Sequence, residues 1–393
     1  MNKIIKTNKH KIFWFVCFLF AVSLVFILPE LFSTHYVFPG SDKAVATPIE
    51  AKEEKYIPTH ISTPDAVKGI YMTSWVASRN DLRSALVELI DTTELNTVVI
   101  DIKDYTGKLT LPIQNPELKK YGSEEIRAKD LKEFIATLHE KGIYVVARIA
   151  VFQDQYFVKY RPELAVKNLA GTAVWKDRKG ISWIDPGSKE YWDYIFLVVE
   201  ESYNIGFDEI NFDYIRFPSD GNMKDISYPF STNIERTVVL ENFFKYMDDK
   251  LAIYPDLKTS ADLFGMVTNA TGDMGIGQLL ETALPYFDYI MPMVYPSHYP
   301  PNFQGYKNPA AHPYEIIHFS MKSAVDRAEA FASTTGKTVA EMRPWLQDFD
   351  LGADYGPVEV RAQIIATYDV GLDSWILWSA SNKYTVGALD SIE

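Results

Sequence analysis

Residues 206–218 read Gly206-Phe-Asp-Glu-Ile-Asn-Phe-Asp-Tyr-Ile-Arg-Phe-Pro218, and this stretch decides the fold. Phe207, Ile210, Phe212, Tyr214, Ile215 and Phe217 make the apolar, aromatic run of a parallel core strand. Asp208, Glu209, Asn211, Asp213 and Arg216 interrupt it. An unpaired buried carboxylate is costly, so a core strand carries such groups only where something offsets their burial. The structural explanation is an Asp213–Arg216 ion pair. The functional one is a strand that delivers polar groups to its carboxyl end, where a barrel keeps its chemistry.

Working outward, short β-rich runs alternate with helical stretches from about residue 67, as expected when parallel strands are joined by crossover helices. Eight strands are expected: 69–75, 97–104, 144–152, 209–218, 258–266, 289–296, 339–349 and 374–380. Helices are expected at 81–93, 130–141, 188–203, 234–252, 276–284, 321–332 and 358–369, with an eighth short or missing. This is an α/β TIM (β/α)8 barrel. A doubly wound open sheet is the rival, but Tyr71-Met-Thr-Ser-Trp75 leads on from the first strand without its glycine-rich turn. Gly272-Asp-Met-Gly-Ile-Gly277 lacks the Lys-Ser/Thr ending of a phosphate loop and reads as loop and helix entry.

The amino terminus is a different kind of sequence. Lys3, Lys6, Lys9 and Lys11 precede Ile12 to Leu28, which carry no charge. Seventeen apolar residues after a basic flank predict a membrane anchor or signal over residues 1–28, amino terminus in the cytoplasm. Pro29 to Tyr36 match a cleavage site poorly, which favours a retained anchor with the rest outside; cleavage would give a secreted protein. Residues 29–66 read as a linker rich in Pro, Thr, Lys and Glu, and 67–393 as the barrel. Without the four lysines the net charge goes from −13 to −17, which argues against a nucleic-acid partner. The single cysteine, Cys17, lies in the apolar segment, so neither disulfides nor a thiolate metal site can hold the barrel.

Strand ends then supply the site candidates. They are Trp75 from the first strand, Asp101 and Lys103 from the second, Arg148 from the third, Asp213 and Arg216 from the fourth, Asp262 from the fifth and Tyr295 from the sixth. The seventh offers Arg343, Trp345, Gln347 and Asp348, and the last Trp378. Period-2 alternation puts Asp101 and Lys103 on one face, able to pair. Asp213 and Asp262 on neighbouring strands fit the two carboxylates that glycoside hydrolysis uses. Trp75, Tyr295, Trp345 and Trp378 are candidate platforms for sugar rings, though each alone could equally be core. No cofactor is called for. The histidines lack zinc-site spacing, so a metal would rest on His298 with strand-end carboxylates, and no Gly-x-Ser-x-Gly elbow occurs.

Lys68-Gly-Ile-Tyr-Met-Thr, Val99-Ile-Asp-Ile-Lys-Asp104, Phe212-Asp-Tyr-Ile-Arg-Phe-Pro218, Met291-Pro-Met-Val-Tyr-Pro296 and Arg343-Pro-Trp-Leu-Gln347 resemble an uncharacterised bacterial TIM-barrel family of glycoside hydrolase type. That resemblance spans residues 67 to 380 and implies a sugar-acting barrel. A more distant likeness is to family 18 chitinases, whose fourth strand reads Asp-x-x-Asp-x-Asp-x-Glu. Here Asn211 replaces an acid and Ile215 stands at the general acid, so their substrate-assisted mechanism does not carry over.

The sequence therefore predicts a glycosidase acting on a cell-wall or extracellular polysaccharide, amino-sugar polymers included. Asp213 would serve as nucleophile or stabilising carboxylate and Asp262 as proton donor, with the roles open to reversal. Asp101, Lys103, Arg148 and Arg216 would orient the sugar or tune those acids, and Gln347 would bond hydroxyls. Two alternatives stay open: a tethered, non-catalytic carbohydrate-binding barrel, and a metal-dependent deacetylase built on His298.

Overall fold

The computed structural model describes residues 57–392. The predicted anchor and most of the linker lie outside them. Among the described residues no helix is long and apolar enough to cross a membrane.

The described residues form nine strands: β1 Lys68–Met72, β2 Thr97–Lys103, β3 Tyr144–Ala150, β4 Glu209–Asp213, β5 Lys258–Phe264, β6 Tyr289–Met293, β7 Glu341–Met342, β8 Trp345–Gln347 and β9 Trp375–Trp378. All pair in parallel; β1 bonds to both β2 and β9, and β5 to β6, so the sheet closes. β7 and β8 are two halves of one staff, because Pro344 offers no N–H to the ladder. The result is an eight-staved parallel barrel of the TIM type.

The principal outer helices are α1 Asn80–Thr92, α2 Leu131–Glu140, α3 Lys189–Asn204, α4 Arg236–Leu251, α5 Pro313–Thr335 and α6 Pro357–Asp369. Between β5 and β6 the expected helix shrinks to Leu280–Ala283, and after β9 only a 3-10 turn, Val386–Ala388, forms. The large core between sheet and helices is apolar. Val98, Ile100, Val145, Ala147, Ile149, Ile210 and Phe212 point into it with essentially no exposure.

The barrel interior is layered by the period-2 alternation of side chains. At the bottom, Arg343 Nη1 reaches both oxygens of Glu209 at 2.9 Å, and Tyr144 donates to Glu209 at 3.2 Å. Val99, Val146, Met291, Trp345 and Ile376 pack above them. The top layer, at the carboxyl ends of the strands, carries Tyr71, Asp101, Arg148, Asp213, Asp262 and Trp378.

One predicted member of that layer is elsewhere. The β2–β3 register runs Asp101 to Arg148 and then Lys103 to Ile149, so a bulge at Ile102 absorbs one residue. Lys103 is thereby turned outward, as Ile149 is. It pairs with Asp154 at 2.9 Å, fully buried, and does not meet Asp101.

Candidate active site

Arg148, from the end of β3, organises the top layer. Its Nη1 donates to Asp101 at 2.6 Å, its Nη2 to Asp213, and its Nε lies 3.8 Å from Asp262. Strands β2, β3, β4 and β5 are consecutive neighbours, which is why one guanidinium can touch acids from three of them. Burial works against the charge of Arg148. Asp213 and Asp101 outweigh that and hold its pKa well above the usual arginine value. Tyr71 donates to Asp101 and stacks on Trp378, their centroids 4.0 Å apart.

The Asp213–Arg216 ion pair of the structural explanation does not form: Asp213 is taken by Arg148 and by the backbone N–H of Tyr214. Asp262 has a different environment. Its Oδ1 accepts from Trp345 Nε1 at 2.7 Å and Asn211 Nδ2 at 2.8 Å. Burial first, and the charge of Asp213 second, push its carboxyl well above the ordinary range, despite Arg148 and the two hydrogen bonds. A carboxyl group held toward its neutral form in this way is suited to donate a proton.

A cavity of about 370 Å³ opens over these groups, lined by Arg148, Asp213, Arg216, Asp262, Tyr295 and Trp378 among others. Gly265 closes part of its floor; a Cβ there would come 2.5 Å from Met293 O. A second lobe, about 520 Å³, continues past Trp378 and Tyr214 to Asp101, Asp104, Arg127 and Trp75. Trp75 is 60% exposed, in a short helical turn after β1, with the Arg127 guanidinium 4.2 Å from its ring.

Most predicted site residues therefore converge: Asp101, Arg148, Asp213, Asp262, Arg216, Tyr295, Trp345, Trp378 and Trp75 all line one or both lobes. Trp345 is 1% exposed and spends its indole N–H on Asp262, so it supports an acid and offers no platform. Gln347 is fully buried; its Oε1 accepts from Ser297 N and Oγ, and its Nε2 donates to Phe349 O. It faces no cleft, and neither does Lys103.

Tyr71, Trp183, Tyr214 and Phe264 were missed as functional neighbours. Tyr71 was available from alternation along β1; the others depend on loop conformation. His298 lines the main lobe, where burial lowers its pKa. Among the described residues no group of three or more His, Cys, Asp or Glu side chains is arranged to hold a metal ion.

A closed α/β barrel with carboxyl groups gathered at the carboxyl face of its strands is an architecture that can support glycoside hydrolysis among other chemistries. The chain matches the family described as "Putative glycosyl hydrolase domain" over residues 69–384, and it belongs to that family. Among solved structures, a hypothetical protein from Ruminiclostridium thermocellum is 31% identical, covering 49% of this chain and 97% of its own, with a TM-score of 0.45. The PgaB (BpsB) glycoside hydrolase domain from Bordetella bronchiseptica is 14% identical over 80% of this chain and 94% of its own, TM-score 0.56. The α-galactosidase TtGalA from Thermus thermophilus is 12% identical over 81% and 59%, TM-score 0.50. At such identities the last two speak for the fold alone. No curated protein matches the chain significantly.

Proposed function

We propose that this glycosidase cleaves an extracellular or cell-wall polysaccharide within the chain, using Asp213 and Asp262 as its carboxylate pair. The observation that carries this is the contrast around Arg148: Asp213 is ion-paired in the open cleft, while Asp262 is pushed toward its protonated form. Asp262 would give its proton to the leaving glycosidic oxygen. Asp213 would attack the anomeric carbon or activate water. Arg148 positions Asp213 through its Nη2 hydrogen bond. Two lobes that share Arg148, Tyr214 and Trp378 support a polymer lying across the site, with Trp75 at its far end. A location outside the cell membrane, tethered by residues 1–28, rests on the sequence alone.

One observation favours binding without cleavage. Asp262 is only 1% exposed, which leaves its carboxyl little access to a bound sugar. The test offers wall and exopolysaccharides to the protein and measures new reducing ends beside Asp213→Asn. Release by the parent alone supports hydrolysis. Tight binding with no release supports the non-catalytic barrel.

A further inference from the structure

The two arginines of the cleft are in opposite states. Arg148 has more carboxylate than it can use; Arg216, 8% exposed, has none within ion-pairing distance among the described residues. Its Nη1 donates to Phe217 O at 3.1 Å and Ser219 Oγ at 3.2 Å. Nε and Nη2 make no hydrogen bond to the described residues and are not sealed from the cleft. The guanidinium is held by rings, 4.6 Å from Phe264, 4.8 Å from Trp183 and 5.4 Å from Tyr214. Aromatic faces stabilise a cation but do not replace a counter-ion, and a buried charge without one is costly. Consistent with this, burial lowers the Arg216 pKa, and Tyr214, Asp213, Asp220 and Asp177 do not restore it.

The nearby acids are committed. Asp213 belongs to Arg148. Asp177 accepts from the N–H groups of Lys179 and Ile181 and from Trp183 Nε1 at 3.2 Å. Asp220 lies outside ion-pairing range. In the side lobe that Arg216 lines, Lys179 joins it, so two cations face Asp177 and Asp220 and an incoming anion meets no net repulsion. The same residue lines the main lobe together with Asp213 and Asp262, so a sugar held by that carboxylate pair lies in the cavity that Arg216 borders.

We propose that Arg216 is the specificity-determining cation of this cleft, pairing through its Nε–Nη2 edge with a carboxylate on the sugar beside the scissile bond. The preferred polymer is then an acidic glycan, built with a uronic acid or a carboxyalkyl ether. A planar, two-oxygen acceptor matches the guanidinium fork and fits between flat rings. This rests on the glycosidase reading above, and the experiment separates the two.

The full-length protein, its Arg216→Gln and Arg216→Lys variants, and Asp213→Asn are offered a uronic-acid polysaccharide and the same polymer with its carboxyl groups reduced to alcohols. Reducing ends report cleavage. Tryptophan fluorescence of Asp213→Asn, with and without Arg216→Gln, reports binding of oligosaccharides from both polymers and of a phosphorylated one. The expected result is roughly tenfold or greater preference for the carboxylated polymer. Arg216→Gln loses that preference, its loss falling mainly on the acidic partner, and Arg216→Lys keeps part of it. Carboxylate-selective, Arg216-dependent binding without cleavage upholds the inference and removes the glycosidase reading. Equal use of both polymers, equal loss on both, a preference for phosphate, or no binding of the acidic oligosaccharide overturns it.

Discussion

Nη2 of Arg148 is hydrogen-bonded to Oδ2 of Asp213 at the point where β3 and β4 end side by side. The residues come from different strands, and each is under one-tenth exposed. This pair, and not one with the nearby Arg216, neutralises the acid that faces the cleft.

Removing Arg148 would leave Asp101 and Asp213 buried without a counter-charge. We expect Arg148→Met to lose about 3–5 kcal/mol of stability, the usual cost of breaking a buried pair from one side. Turnover should fall about 100-fold or more even at temperatures where the variant is folded, because Asp213 loses its fixed position. Urea melts and reducing-end rates on the same preparations check both, with Arg148→Lys as the variant that keeps the charge. A folded Arg148→Met with parental rates would remove Arg148 from the positioning of Asp213.

Asp262 should trade stability for activity. Its folded pKa is raised, so the folded state holds the proton more tightly than the unfolded chain. The stabilising contribution is complete below the ordinary carboxylate range and is lost as pH rises through the raised value. Asp262→Asn keeps both hydrogen bonds to its Oδ1 and removes that loss. We expect its melting temperature at pH 7 to rise by about 1–3 °C. Activity should follow the opposite sign: an acid works only while protonated, so the parent's alkaline limb belongs to Asp262 and lies above the ordinary carboxylate range. Asp262→Asn should lose that limb and about 100-fold or more in rate on polysaccharide, with much of it regained on an aryl glycoside whose leaving group needs no proton. An unchanged alkaline limb in Asp262→Asn would assign the acid elsewhere.

Strand positions were legible because eight apolar runs alternate with amphipathic helices, and each observed strand falls within an expected one except that β1 begins one residue earlier, at Lys68. Asp101, Arg148, Asp213 and Asp262 were legible for the same reason: a charged side chain at the end of such a run has few places to go but the barrel mouth. Lys103 defeats alternation because a single bulge at Ile102 reverses its face, and nothing in Ile-Asp-Ile-Lys announces a bulge. The partner of Asp213 was not legible: proximity in sequence offered only Arg216, whereas lateral register across strands supplied Arg148. Trp345 and Gln347 were correctly placed on the seventh staff, but sequence does not reveal that a neighbour has already claimed their polar atoms.

Tyr214 is held at φ +53° directly after Asp213, in a region that costs a residue with a Cβ roughly 1–2 kcal/mol. It lines the main lobe, the second lobe and the side lobe together. Strain at such a junction is the mark of a side chain kept for function. Tyr214→Ala keeps the strain and loses the ring; Tyr214→Gly loses both. We therefore expect the glycine variant to be the more stable of the two by about 1 kcal/mol, the reverse of the ordinary order. Both should lose kcat/KM about tenfold or more through the missing wall. Thermal melts and initial rates decide it, and an alanine variant as stable as the glycine one would show that the backbone carries no strain.

Trp75 is exposed at the far end of the second lobe, its ring backed by Arg127, which also donates to Asp104 at 2.8 Å and to Ser74 at 2.8 Å. A large exposed ring braced in this way is preorganised, so a sugar stacking on it need not order it first. It lies in the other lobe from Asp262, so only a substrate spanning both lobes can use it. Trp75→Ala should raise KM for a polymer by about 2–10-fold, the worth of one aromatic contact, and leave kcat nearly unchanged. With a disaccharide or aryl glycoside the same variant should match the parent. Rates measured against increasing chain length give the answer directly: a step in the Trp75 effect at a defined length places the ring at a distal subsite, and an equal loss on the shortest substrate would instead put it at the point of cleavage.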